Sequence, residues 1–210
     1  MKKLIAVLCL IMIACLGLSA SAQNIAPRQE GIVRELVSGK TFYAKVSGYG
    51  WYGEGEDTRY NLTLTLCERV SFDAAAVEAL QPGDTVEINH DVYTLKTVKA
   101  DEYGVTAQSV NPYDDELCFY KSEDGNYIVA NEHDYPYWRE TVTFEIEADK
   151  GLIFRDWSDP EADDPTDRTI ADLMFELSES NRLFDANNTK VTFDENGRLI
   201  LFELGYSPFN

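Results

Sequence analysis

After an apolar leader, the chain alternates apolar and polar residues with period two. Tyr60, Leu62, Leu64 and Leu66 alternate with Asn61, Thr63, Thr65 and Cys67, and Val142, Phe144, Ile146 and Ala148 alternate with Thr141, Thr143, Glu145 and Glu147. A strand sends successive side chains to opposite faces, so each run predicts a strand with one buried face. Shorter runs predict further strands at 41–46, 85–88, 92–99, 105–110, 117–120, 126–130, 152–154, 189–193 and 198–204. The connections Asn89-His90-Asp91, Glu123-Asp124-Gly125-Asn126, Asp149-Lys150-Gly151 and Asp194-Glu195-Asn196-Gly197 carry residues that tolerate positive φ. Tight hairpins demand that conformation, so the sheets should be mainly antiparallel.

Two segments change period. Ile170, Leu173, Met174 and Leu177 recur at i, i+3, i+4 and i+7, which predicts an amphipathic helix. Its start is expected at Asp164 as N-cap, with Pro165 in the first helical position and Asp167 in the first turn. A shorter helix is expected over 73–80, with Ala76, Val77 and Leu80 on one side and Gln81-Pro82-Gly83 as its stop. The run Leu199–Leu204 is apolar on both faces, which predicts a strand covered on both sides or a central strand under a helix. The fold class is therefore α+β and β-rich, with the amphipathic helix packed on a C-terminal sheet.

The stretch Leu80-Gln81-Pro82-Gly83-Asp84-Thr85-Val86-Glu87-Ile88, with two strands after it, resembles small SH3-like or OB-like barrels, where a Gly-Asp turn launches a strand. The resemblance implies a small barrel in the N-terminal half; it carries no functional residues, because fold alone does not assign function. It divides the chain into a leader (1–22), a β-barrel-like unit (23–111) and an α+β unit (112–210), with the boundary near Asn111-Pro112. A single continuous domain is the open alternative, since no repeat or low-complexity linker marks a division.

Lys2 and Lys3 lead an apolar run from Leu4 to Leu18, which ends at Ala20-Ser21-Ala22. This pattern reads as a cleaved signal peptide of bacterial type, so the mature protein is expected outside the cytoplasm, secreted or at the cell surface. The run is shorter than the ~20 residues that a bilayer span requires, so no transmembrane span is expected. Met12-Ile13-Ala14 before Cys15 loosely fits lipoprotein processing, which makes a lipid anchor at Cys15 the lesser alternative.

The formal net charge is −19, and cleavage would remove two lysines. Such a chain repels nucleic acid and anionic membranes, both of which bind through clustered Lys and Arg. Cys9 and Cys15 leave with the leader, so Cys67 and Cys118 remain and are free to form one disulfide in an oxidising compartment. Two sequons, Asn61-Leu62-Thr63 and Asn187-Asn188-Thr189, matter only in a glycosylating host.

Candidate chemistry is sparse. His90 lies in a predicted turn and His133 in Asn131-Glu132-His133-Asp134, both places where a solvated histidine is the ordinary outcome. A Cys118/His133/Asp134 nucleophilic set is disfavoured, because adjacent His133 and Asp134 point apart on most backbones. No phosphate loop, paired CxxC, HExxH or GxSxG occurs, so no catalytic residues are assigned and a non-catalytic role is expected over an enzyme. No cofactor is expected beyond weak Ca2+ at the acid-dense loop 156–167, where Asp156, Asp159, Glu161 and Asp163 offer hard oxygen ligands. The plainer reading of that loop is a solvated lead into the helix.

The sharper feature is aromatics set in polar, turn-like segments: Trp51 and Tyr52 within Gly48–Gly53, and Tyr135, Tyr137 and Trp138 within Asp134–Trp138. Rings on loops stack on apolar ligand faces or anchor a protein partner, whereas rings folded back merely plug the end of a barrel. The leading expectation is a non-catalytic extracytoplasmic binding or interaction module, engaging a protein or glycan through these aromatics. A structural or accessory envelope protein and a carboxylate-dependent hydrolase are the alternatives.

Overall fold

The computed structural model describes residues 33–161, 163–179 and 183–206, so the leader and Cys15 lie outside the described residues. The fold is β-rich α+β with mostly antiparallel sheets and a half-barrel sheet. In chain order its strands are β1 (Thr41–Tyr52), β2 (Arg59–Arg69), β3 (Ser71–Phe72), β4 (Thr85–Ile88), β5 (Asp91–Ala100), β6 (Gly104–Ser109), β7 (Leu117–Lys121), β8 (Tyr127–Ala130), β9 (Trp138–Ala148), β10 (Ile153–Asp156), β11 (Thr166–Arg168), β12 (Thr189–Phe193) and β13 (Leu199–Leu204). A seven-stranded sheet runs β11-β10-β13-β12-β1-β2-β9, and a six-stranded sheet runs β3-β8-β7-β6-β5-β4.

The second sheet is built wholly from chain that lies between β2 and β9 of the first. Its end strands β3 and β4 are not neighbours, so the sheet is open along that side. Asn111-Pro112 falls between β6 and β7, which pair through Val105↔Phe119 and Ala107↔Leu117. A cut there divides one sheet; the connectivity instead nests 71–130 inside the larger sheet.

Each sheet has its own apolar core. The seven-stranded sheet buries Leu62, Leu64 and Leu66 of β2, Phe144 of β9, Phe193 of β12 and Phe202 of β13 against Ile170, Leu173 and Met174 of the helix Ile170–Glu179. The six-stranded sheet closes over Leu95, Leu117, Phe119 and Val129, with Val77 supplied by the short helix Ala74–Glu78. Asp73 caps that helix by accepting from the amides of Ala75 (2.9 Å) and Ala76 (3.3 Å). No helix among the described residues is long and apolar enough to cross a membrane.

Two expectations are corrected. The long helix starts at Ile170, because Thr166–Arg168 stays extended as an edge strand on β10, with Arg155 forking onto Asp167 at 2.7 and 3.0 Å. Thr169 is the cap: its N–H donates to Asp172 Oδ2 (2.9 Å), and the Asp172 N–H donates to Thr169 Oγ1 (3.3 Å). This reciprocal pair satisfies two amides that the helix leaves open at its start. Of the two readings of the run 199–204, the strand covered on both sides falls and the central strand under a helix holds, with β13 between β10 and β12 and its core face toward Ile170, Leu173 and Met174. Thr192 pairs with Leu201 and Phe193 with Leu199, so Ile200 is an extra, bulged residue and is exposed. The bulge shifts the alternation by one, which puts Leu199, Phe202 and Leu204 all into the core.

Candidate functional site

The segment expected as a loop around Trp51 is strand. β1 continues to Tyr52, with Tyr49↔Leu62, Trp51↔Tyr60 and Tyr52↔Arg59 as partners. Between Val46↔Leu64 and Gly48↔Thr63 the register slips, leaving Ser47 as a bulge. Directly opposed residues share a face, so the slip turns Tyr49 and Trp51 to the core side of the sheet, beyond where the core ends. Gly48 sits where a Cβ would come within 3.0 Å of Thr63 Oγ1, which explains a glycine inside this strand.

Trp51 and Tyr60 meet the last turns of the long helix across a groove of about 600 Å³, lined also by Met174, Phe175, Glu54 and Glu179. The helix turns Ile170, Leu173 and Met174 inward and leaves Phe175 outside, 65% exposed, while Trp51 is 54% exposed. Glu54 and Glu179 are the only charged residues that line this groove among the described residues. Phe175 was not a sequence candidate. Its signal is an aromatic that falls off the Ile170/Leu173/Met174/Leu177 stripe, where a helix ordinarily carries polar groups.

Trp138 belongs elsewhere. It opposes Arg69 at one end of β2, whereas Trp51 opposes Tyr60 at the other. The nine intervening steps of strand put them about 30 Å apart, so the two tryptophans do not share one surface. Trp138 is half-buried, its ring tilted against Tyr43 with centroids 4.5 Å apart, and donates from Nε1 to Asn187 Oδ1 at 2.7 Å. Tyr137 packs against the six-stranded sheet with its ring edge-on to Tyr93 at 6.5 Å, and burial first, then Tyr93, pushes its hydroxyl pKa upward. Tyr135 is half-buried in a turn where Asn131 Oδ1 accepts from the amides of His133 and Tyr135. Tyr52, 52% exposed, sits on the opposite face of the sheet from Trp51.

The acid-dense loop spends its carboxylates on its own chain. Asp156 is buried and ion-pairs with Arg168 at 3.3 Å, and Arg168 also reaches Glu176 at 3.1 Å. Asp159 accepts from the Glu161 amide at 3.0 Å, and Asp163 is exposed. Among the described residues no group of three or more His, Cys, Asp or Glu is placed to hold a metal ion. Cys67 and Cys118 are free, buried thiols on different sheets, so the disulfide is not formed. Desolvation raises the pKa of both. Asp134 accepts from the Tyr120 hydroxyl, and His133 lies against Glu132 at 3.7 Å, so no Cys118/His133/Asp134 relay assembles. His90, at positive φ in the β4–β5 turn, lies 3.8 Å from Glu87 and is exposed.

Comparison with protein-family models, with curated proteins and with solved structures finds no match to this chain.

Proposed function

We propose that this chain is an exported, non-catalytic binding module that receives a segment of a partner protein in the groove between the tip of the β1–β2 hairpin and the long helix. One observation carries the reading: Trp51 and Phe175 flank a groove while more than half exposed, with carboxylates as its only charged lining among the described residues. Large rings held in water on a rigid strand and helix are the anchors that interfaces use. Glu54 and Glu179, in a chain of net charge −19, select a partner segment that is apolar at its centre and carries Lys or Arg at its ends. Ammonium and guanidinium groups also gain from lying over the Trp51 face.

The reading is tested by screening residues 23–210 on arrays of peptides and glycans. Peptides rich in Trp or Leu together with Lys or Arg should bind, weaken with added salt, and fail to bind Trp51→Ala and Phe175→Ala variants of unchanged melting temperature. Binding that survives both substitutions overturns the proposal, and hits confined to glycans replace the protein partner with a carbohydrate.

A further inference from the structure

The opposite face of the seven-stranded sheet carries two cations that pack on one aromatic ring. Tyr43 lies between Cys67 of β2 and Lys190 of β12 in the ladder. Two cations sit on its ring: the Arg69 guanidinium at 5.2 Å and the Lys190 ammonium at 5.1 Å. Arg69 also donates to the Tyr43 hydroxyl at 3.0 Å and lies 5.7 Å from the Trp138 ring. Elsewhere Lys45, Arg59, Lys121, Arg139, Arg155 and Arg168 each meet a carboxylate within 4.0 Å. Neither Arg69 nor Lys190 does so among the described residues, although the chain has 37 acids to 18 bases. Both pack on rings, and Lys190 lies opposite Glu203 in the β12–β13 ladder without closing to ion-pair distance.

Beside them opens a groove of about 460 Å³, lined by Tyr43, Trp157, Asn187, Asn188, Lys190 and Glu203. Trp157 lines this groove while 45% exposed. Asn187 uses Oδ1 to accept from Trp138, which fixes its carboxamide and leaves the NH2 to donate. Glu203 supplies an acceptor-only carboxylate. A bare anion gains from Lys190 but is repelled by Glu203, whereas a neutral ring leaves the Lys190 charge unanswered. A ring that carries one carboxylate and several hydroxyls satisfies every group.

We propose that this groove is a second binding site, independent of the Trp51–Phe175 groove, for an acidic sugar of the hexuronate class. The sugar face packs on Trp157, its carboxylate meets Lys190, and its hydroxyls donate to Glu203 and accept from the Asn187 amide. The CH groups of a pyranose suit an aromatic face, and the flanking polar groups orient the ring.

Tryptophan fluorescence and NMR titrations of residues 23–210 with galacturonate, trigalacturonate, galactose and acetate test this. Trigalacturonate should bind, with affinity falling as salt rises, while galactose and acetate should bind at least about tenfold more weakly, a difference of 1.4 kcal/mol. Galacturonate matching the trimer assigns a single-ring ligand, and a tighter trimer assigns a polymer; both support the site. Trp157→Ala and Lys190→Gln alter exposed side chains and should each weaken binding about tenfold at unchanged melting temperature, while Phe175→Ala should leave it intact. The proposal is overturned if trigalacturonate does not bind, if acetate binds equally well, or if neither the Trp157 nor the Lys190 variant changes the affinity.

Discussion

The same substitution at two phenylalanines separates the core from the recognition surface. Phe193 on β12 is 1% exposed, and its ring lies 6.2 Å from both Phe42 and Phe144, joining strands across the seven-stranded sheet. Truncating a buried Phe to Ala costs roughly 3–5 kcal/mol, and each lost ring pair adds about 0.5–1.5 kcal/mol to ordinary burial, so Phe193→Ala belongs at the top of that range. A loss of about 5 kcal/mol approaches the whole stability of many domains and lowers the melting temperature by roughly 10–20 °C for a chain of this size. Phe175, 65% exposed on the long helix, buries little, and alanine is the better helix former. Phe175→Ala should therefore stay within about 0.5 kcal/mol of wild type while losing the partner. Urea melts followed by circular dichroism measure both, with peptide binding in parallel. The reasoning fails if Phe175→Ala costs more than about 2 kcal/mol or Phe193→Ala less than about 1 kcal/mol.

Two further outcomes are expected. Thr169→Ala removes the hydroxyl that accepts from the Asp172 amide and should cost about 1 kcal/mol in urea melts, and a cost indistinguishable from zero refutes the cap. The Asp172 carboxyl is held below its ordinary 3.8 by the Thr169 hydroxyl and amide, so its contribution is complete above that value and is lost as pH falls through the lowered one. The stability gap between wild type and Asp172→Asn should accordingly be constant from pH 7 to about 5 and close below about pH 4; a gap that widens on acidification contradicts this. Cys67 and Cys118 of the 23–210 chain should react with a thiol reagent only after unfolding, both titrating without prior reduction, and a chain with no titratable thiol shows that they are bonded.

Most of the strands were legible because a sheet buried on one face writes its geometry as period two. Thr85–Ile88 and Thr189–Phe193 fall where the alternation puts them, and β2 and β9 extend it by a few residues. Two of the failures were local and share one cause: a single extra residue inverts the pattern without leaving a compositional trace. The bulge at Ile200 makes one core face look like two, and the slip at Ser47 together with Gly48 and Gly50 disguises the end of β1 as a loop. The helix start went astray because Asp164-Pro165 is a strong opening signal, and only the pairing of Thr166–Arg168 with β10, distant information for a linear pattern, defers it to Thr169. Of the candidate rings, Trp51 stands at a groove, while Trp138 and Tyr137 are absorbed by Tyr43 and Tyr93. Phe175 and Trp157 gained their places only when the helix and β10 were set against the sheet.

The entry and exit of the nested segment are tied side by side: the Val70 amide donates to the Tyr137 carbonyl at 2.8 Å, and the Val129 amide donates to the Val70 carbonyl at 3.1 Å. β2 and β9 are separated by some seventy residues of chain, a span whose closure is entropically unfavourable while it is slack. Once 71–130 has collapsed onto itself, that span shrinks to the width of one hairpin, and the larger sheet zips as though its middle strands were sequence neighbours. Ribosomal synthesis delivers the pieces in the same order, so the interior unit acts as a tether that the outer one inherits.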